Sequence, residues 1–209
     1  MKREAGKAKA SGNESGSAGK VLPLFSRPEH AARLFLKARL LDEQKEHWKD
    51  AERLYREVVR IAPGHVEAWI NLGVMCFHQK RPGEALHCWG RAIIEDPMRA
   101  ETHNNIGQLY KMEGKLEQSA VYLFRAVRLD PDMEEALFNL AMCLQGLGRP
   151  RAALRYWRRY IERWPYGEWI EHARRHFDWC ERAASMDCVG KRIAEARARS
   201  SNTGRTEGR

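Results

Sequence analysis

Glu67-Ala68-Trp69-Ile70-Asn71-Leu72-Gly73, with Ala85, Trp89, Ala92 and Pro97 behind it, is the stretch from which the architecture can be read. Its letters return at a fixed step. Pro63, Pro97, Pro131 and Pro165 are each 34 residues apart and make up half of the chain's eight prolines. Proline ends helices, so a stop at a strict period marks one supersecondary unit made repeatedly. Other columns keep the step: Ala51, Ala85, Ser119 and Ala153; Tyr55, Trp89, Leu123 and Trp157; Ala38, Leu72, Ile106 and Leu140; Phe35, Trp69, His103 and Leu137. Gly73 and Gly107 follow the third of these columns, with Ala141 in the fourth unit.

Each unit reads as two helices. Trp69, Leu72, Gly73 and Cys76 fall at helical spacing between Glu67 and His78. Arg81-Pro82-Gly83 breaks the pattern, and Ala85, Cys88, Trp89 and Ala92 carry a second helix as far as Asp96-Pro97. Glu113-Gly114 and Gly148-Arg149-Pro150 are the equivalent breaks in the next two units. Small residues at the crossing let the two helices approach closely, and the aromatic column fills the space between pairs.

These columns resemble the tetratricopeptide repeat over residues 32–165, as four tandem units. The first unit matches only in its second helix, through Ala51, Tyr55 and Pro63; Arg39 and Asp42 stand where small and bulky apolar residues are expected. The resemblance implies an all-α fold: a right-handed α-solenoid of helix-turn-helix repeats with a C-terminal capping helix. It implies little about function, since one scaffold serves many roles.

The expected organisation is a disordered basic tail over 1–28 and repeats over 29–165 (units 32–65, 66–99, 100–133 and 134–167). Capping helices follow over 166–199, then a disordered tail over 200–209. Met1 to Lys20 contain no Val, Ile, Leu, Phe, Tyr or Trp, so they cannot build a core. No apolar run approaches the ~20 residues of a membrane span, and the N-terminus lacks the apolar segment of a secretory signal. The expectation is therefore a cytoplasmic protein. Five scattered cysteines without a close pair read as free, mostly buried thiols.

Trp169, Ala173, His176, Phe177 and Cys180 form an apolar stripe that would close the last repeat. His172, His176 and Cys180 also share a face and are zinc-ligand types, with Cys188 as a fourth candidate. Because the stripe is needed for packing, no metal is assigned, and no cofactor is implied. The net charge of +9 resides at the ends: +7 over 148–209, +3 over 1–30 and −1 over 31–147. Arg151, Arg155, Arg158 and Arg159 form a basic patch, which gives a second reading: contact with nucleic-acid phosphates or an acidic partner.

The leading reading places function on the concave face, lined by the first helix of each unit. Asn71, Asn105 and Asn139 stand 34 apart there. An amide offers a donor and an acceptor, as a peptide backbone does. Stacked helices lie ~8–10 Å apart, and three extended residues cover ~10 Å, so such a ladder can grip an extended chain. The column is similar to the asparagine ladder in the repeat arm of O-linked N-acetylglucosamine transferases. Ile70, Val74 and Phe77 are expected to form one apolar patch, and Phe138 and Met142 another, with Asn104, Gln108 and Lys111 between. Glu67, Glu101 and Glu135 form an acidic column that would favour a basic ligand. The groove lacks the lysine- and arginine-rich clamp with which co-chaperone members of the family hold acidic chain ends. Six hydrogen bonds at ~1 kcal/mol each do not exceed an association cost of ~4–15 kcal/mol, so apolar anchors are required as well.

No glycine-rich phosphate loop after a strand, and no placeable nucleophile–base set, suggests an enzyme. The sequence thus reads as a protein-interaction scaffold or adaptor for a protein or peptide partner, acting as a monomer or a homo-oligomer.

Overall fold

A computed structural model describes residues 27–203, with side chains described for 28–186. The tails expected at the two ends lie outside these residues, except that Arg27 and Pro28 already belong to the first helix and residues 200–203 to the last. Among the described residues there are α-helices and one 3-10 turn, and no strand.

The helices are α1 (Arg27–Asp42), α2 (Trp48–Ile61), α3 (Val66–His78), α4 (Pro82–Glu95), α5 (Ala100–Met112), α6 (Leu116–Leu129), α7 (Glu134–Gly146), α8 (Pro150–Arg163) and α9 (Ile170–Thr203). They pair as α1 with α2, α3 with α4, α5 with α6 and α7 with α8; α9 packs on α8. α3 also touches α5, and α5 touches α7, so the first helices of successive units form a continuous inner layer of the solenoid.

The proline column acts just outside the helices. Ala62, Asp96, Asp130 and Trp164, each preceding a proline, have φ of −128°, −138°, −129° and −123° with positive ψ. That is the extended conformation which a following proline ring imposes, and each helix stops there. The turn inside the unit also repeats: Lys80, Gly114 and Gly148 have φ of 59°, 74° and 66°. This left-handed position caps the first helix and favours glycine; only the second unit fills it with a side chain.

The core columns pack as their letters imply. Tyr55, Trp89, Leu123 and Trp157 are all buried, as are Ala51, Ala85, Ser119 and Ala153. A Cβ on Gly73 would stand 2.6 Å from Trp89 Cδ1, and one on Gly107 2.6 Å from Leu123 Cγ, so these two glycines let the bulky column in. Cys76, Cys88, Cys143 and Cys180 are buried free thiols.

One departure from the repeat letters is accommodated, and one expectation needs adjusting. Arg39 and Asp42 do not prevent a regular first helix: α1 pairs fully with α2. The Asp42 carboxylate accepts a short hydrogen bond from Tyr55, and the Asp42 carbonyl one from Trp48 Nε1 at 2.9 Å. The capping region is one helix rather than two. No proline follows Pro165, and the lone Gly190 costs only ~1 kcal/mol in a helix, so α9 runs on to Thr203.

Candidate functional site

The inner layer of α3, α5 and α7 presents the asparagine column, but its three members differ. Asn71 donates from Nδ2 to Tyr55 Oη at 3.1 Å, extending the Asp42–Tyr55 link across the first two units. Asn105, half-buried, leaves its Nδ2 without a partner. Asn139, buried, accepts from Lys111 Nζ at 2.5 Å.

Neighbouring residues fall into two groups. Ile70 is only 1% exposed and its carbonyl accepts from Trp89 Nε1 at 3.2 Å, so it belongs to the core rather than to an exposed patch. Its repeat equivalents, Asn104 and Phe138, stay on the inner layer, where Asn104 meets Glu135 and Phe138 lines a cavity. Val74, Phe77 and Met142 are half-buried and lean on the core, with the Phe77 ring 5.9 Å from that of Trp89. Asn104 is 3% exposed; it gives Nδ2 to Glu135 at 3.2 Å and leaves Oδ1 unpartnered. Gln108 donates to the same Glu135 oxygen at 3.1 Å.

The acidic column is equally uneven. Glu67 accepts from Arg99 at 2.5 Å. Its carboxyl is held below the ordinary range, first by its own backbone amide and then by Arg99. Glu101 is pushed the other way by desolvation within the inner layer, eased by Arg99 and reinforced by Glu67 and Glu135.

Beyond Glu135 the layer opens into a cavity of about 510 Å³ between α5, α7, α8 and the turn leading into α9. Gln108, Phe138 and Asn139 line it, with Lys111, Met112, Glu134, Glu135, Tyr160, Glu168 and Trp169. Phe138 is its hub: its ring lies 5.4 Å from Tyr160 and 6.1 Å from Trp169. Tyr160 donates to Glu134 Oε1 at 2.6 Å. Burial, that bond and the charges of Glu134 and Glu168 push its phenol up. The sequence places Trp169 in the capping stripe and marks no role for Tyr160. The available signal was the Glu134-Glu135 pair opening α7 together with Glu168-Trp169 just past the last proline.

The arginines of α8 are largely drawn into local contacts. Arg155 lies over Tyr156, 4.9 Å from the ring, and Arg158 over Phe177 at 5.8 Å. Arg159 donates to the Pro131 carbonyl at 3.0 Å, and Arg163 holds Asp132 by two bonds of 3.0 and 3.1 Å. Arg151 and Arg155 border a second cavity, about 570 Å³, on the outer layer between α6 and α8, where Val121 and Phe124 are exposed. The histidine face of α9 is used for packing. His176 stacks on Trp157 at 5.3 Å and 10°, His172 lies 5.6 Å from Trp169, and Cys180 is buried against Gln145. His172, His176 and Cys180 do not converge as ligands. The only convergent ligand set among the described residues is Glu52, Cys76 and Glu84, and both of its carboxylates are engaged by Arg56 and Arg81. Cys188 lies outside the described side chains. No described helix is long and apolar enough to cross a membrane.

Known proteins share this pattern. The chain is 35% identical over 99 residues to a probable UDP-N-acetylglucosamine–peptide N-acetylglucosaminyltransferase SPINDLY of Hordeum vulgare, covering 47% of this chain and 10% of that protein. The chain thus spans about a tenth of this relative's length. The structure of MamA superimposes with a TM-score of 0.64 at 19% identity, over 87% of this chain and 96% of that one. The first repeat domain of Spaghetti (RPAP3), bound to the HSP90 peptide SRMEEVD, superimposes with a TM-score of 0.54 at 20% identity, over 57% of this chain and 94% of that one. Profiles described as tetratricopeptide repeat match residues 35–100, 100–133 and 135–165, which together take in nearly all of α1 to α8, and on these grounds the chain belongs to the tetratricopeptide-repeat family.

Proposed function

We propose that this chain is an interaction scaffold that holds an extended partner segment along the inner layer of α3, α5 and α7. The observation that carries the proposal is the 510 Å³ cavity, which brings Gln108, Phe138 and Asn139 to one opening of that layer. The unpartnered Nδ2 of Asn105 and Oδ1 of Asn104 belong to the same helix, α5, about one helical turn before Gln108. Both atoms are buried, so they meet an incoming strand only where the side chains turn outward, a move that the cost of a buried unpaired polar group favours. The repeat domain of Spaghetti carries a bound peptide on the same architecture, which supports the mode but not the ligand. That peptide is acidic, whereas the cavity here is walled by carboxylates. The segments matched in the transferase relatives are repeats, and we assign the chain a recruiting rather than a catalytic role.

The test is selection of random short peptides on the purified protein, followed by affinity measurement with an Asn105→Ala/Asn139→Ala variant. Loss of two to three hydrogen bonds at ~1 kcal/mol each is expected to weaken the selected peptides about tenfold or more, while the melting temperature stays within a few degrees. Selected peptides that bind the double variant as well as the parent would overturn the proposal.

A further inference from the structure

The inner cavity has a composition that selects among ligands. Three carboxylates line it, Glu134, Glu135 and Glu168, against one cation, Lys111. Lys111 is committed to Asn139 Oδ1. Among the described residues none of the three carboxylates forms an ion pair: Glu134 accepts from the Tyr160 hydroxyl, and Glu135 from the Asn104 and Gln108 amides. The start of the inner layer differs, since Glu67 there has Arg99. The cavity therefore carries two uncompensated negative charges.

Its other walls are aromatic. Phe138, Tyr160 and Trp169 converge, and Trp169 keeps 48% of its surface exposed at the cavity although Ala173 and Cys180 of the following helix are fully buried. An aromatic face attracts a cation through its quadrupole, most of all where carboxylates stand beside it. A flat guanidinium can stack on a ring and present paired N–H donors to carboxylate oxygens, which an ammonium cannot match. The volume of about 510 Å³ lies within the ~300–1,000 Å³ range of small-ligand pockets.

We propose that this cavity is a specificity pocket for an arginine side chain of the bound partner segment. The guanidinium lies against Trp169 and Phe138 and is held by Glu135 and Glu168. Glu134 remains on the Tyr160 hydroxyl and adds field rather than contact. The inference rests on the inner layer being the binding face, but it can be tested apart from it.

Two measurements separate the ideas. The first follows the Trp169 indole N–H by NMR while N-acetyl-arginine amide is added, with N-acetyl-citrulline amide as the uncharged isostere and N-acetyl-lysine amide as the ammonium control. A saturable shift with arginine, weaker with lysine and absent with citrulline, is expected. Absence of an arginine shift, or equal shifts with citrulline, overturns the pocket whether or not peptides bind. The second compares labelled extended peptides that differ only by arginine or citrulline at one position, on the parent chain and on Glu135→Gln/Glu168→Gln. The parent is expected to prefer arginine ~10-fold; the double variant is expected to lose that preference and retain the citrulline peptide's affinity. A preference that survives in the variant, or equal binding of both peptides by the parent, overturns the pocket while leaving the groove reading in place. An indole shift with free arginine amide, with no peptide bound at all, supports the pocket and defeats the extended-groove reading. Glu168→Gln alone, at a carboxylate for which no described hydrogen bond is made, guards against a folding defect in the double variant.

Discussion

The two ends of the solenoid use the same residue types in opposite ways. Around the first and second units, carboxylates are neutralised inside the protein. Glu52, 5% exposed, is met by Arg81 at 2.6 Å, by Arg56 and by Gln79 at 2.7 Å, while Glu84 is shared by Arg56 and Arg81 at 2.9 Å. Around the fourth unit, Glu134, Glu135 and Glu168 stand in a cavity without an ion pair among the described residues. The aromatics divide likewise: Trp89 is sealed between helices, while Trp169 stays half open. Carboxylates and rings that finish their interactions internally hold units together. Those left unfinished are the ones that we propose meet another chain. The repeat period is blind to this difference, because it registers residue type and not what each residue meets.

The strongest effect should come from the aromatic pair. Trp89→Ala empties a sealed site and is expected to cost ~3–5 kcal/mol, read as a large fall in melting temperature. Trp169→Ala, at a ring that is 48% exposed, is expected to cost about half as much or less, yet to remove the arginine response. Comparable destabilisation by both would break the contrast. Next comes charge. Glu52→Gln leaves Arg81 without its buried partner and should cost ~2 kcal/mol by chemical denaturation, whereas Glu135→Gln/Glu168→Gln should lie within about 0.5 kcal/mol of the parent.

A smaller effect concerns acid. Burial alone would raise the Glu52 carboxyl, but hydrogen bonds from Arg81 and Gln79 and the charges of Arg56 and Arg81 hold it below 4.5. Its contribution is therefore complete above pH 4.5 and lost as the pH falls through the lowered value. His103, buried with Nε2 donating to the Pro97 carbonyl at 3.0 Å, is held below 6.5 chiefly by desolvation. Its neutral form thus stabilises the fold above pH 6.5 and is opposed by proton uptake below it. Melting temperature should fall in two stages on acidification. Glu52→Gln should flatten the lower stage and His103→Gln the upper, while the fourth-unit variants change neither. The smallest effect is at the repeated turn, where Lys80→Gly should stabilise by ~0.5–1 kcal/mol by relieving a side chain at φ 59°.

The fold was legible because its determinants are local or periodic. Pro97 forces Asp96 into an extended conformation wherever the pair occurs, and Gly73 makes room for Trp89 within a single unit. Even the departures Arg39 and Asp42 leave α1 intact, since the Asp42 carboxylate finds the Tyr55 hydroxyl. The candidate site was legible only in part. The asparagine column placed one letter in three positions, but Tyr55 takes Asn71, Lys111 takes Asn139, and Asn105 keeps a free donor; none of these outcomes is periodic. Ile70 was grouped with Val74 and Phe77 by its spacing, but those two stay half-buried while Ile70 is covered completely, a difference that depends on the neighbouring helices and not on its own letter. Trp169 and Glu168 were hidden for a further reason: they lie beyond the last repeat, where the period has no next unit to compare with, and they meet α7 only in three dimensions.

The most direct test of the account is a spin-labelled, arginine-containing extended peptide added to isotope-labelled protein, with amide signal loss read along the whole solenoid. Loss confined to Asn105, Gln108, Asn139 and the Trp169 indole is predicted. Loss at Val121, Phe124 and Tyr156 on the outer layer, or none at any site under saturating peptide, would contradict it.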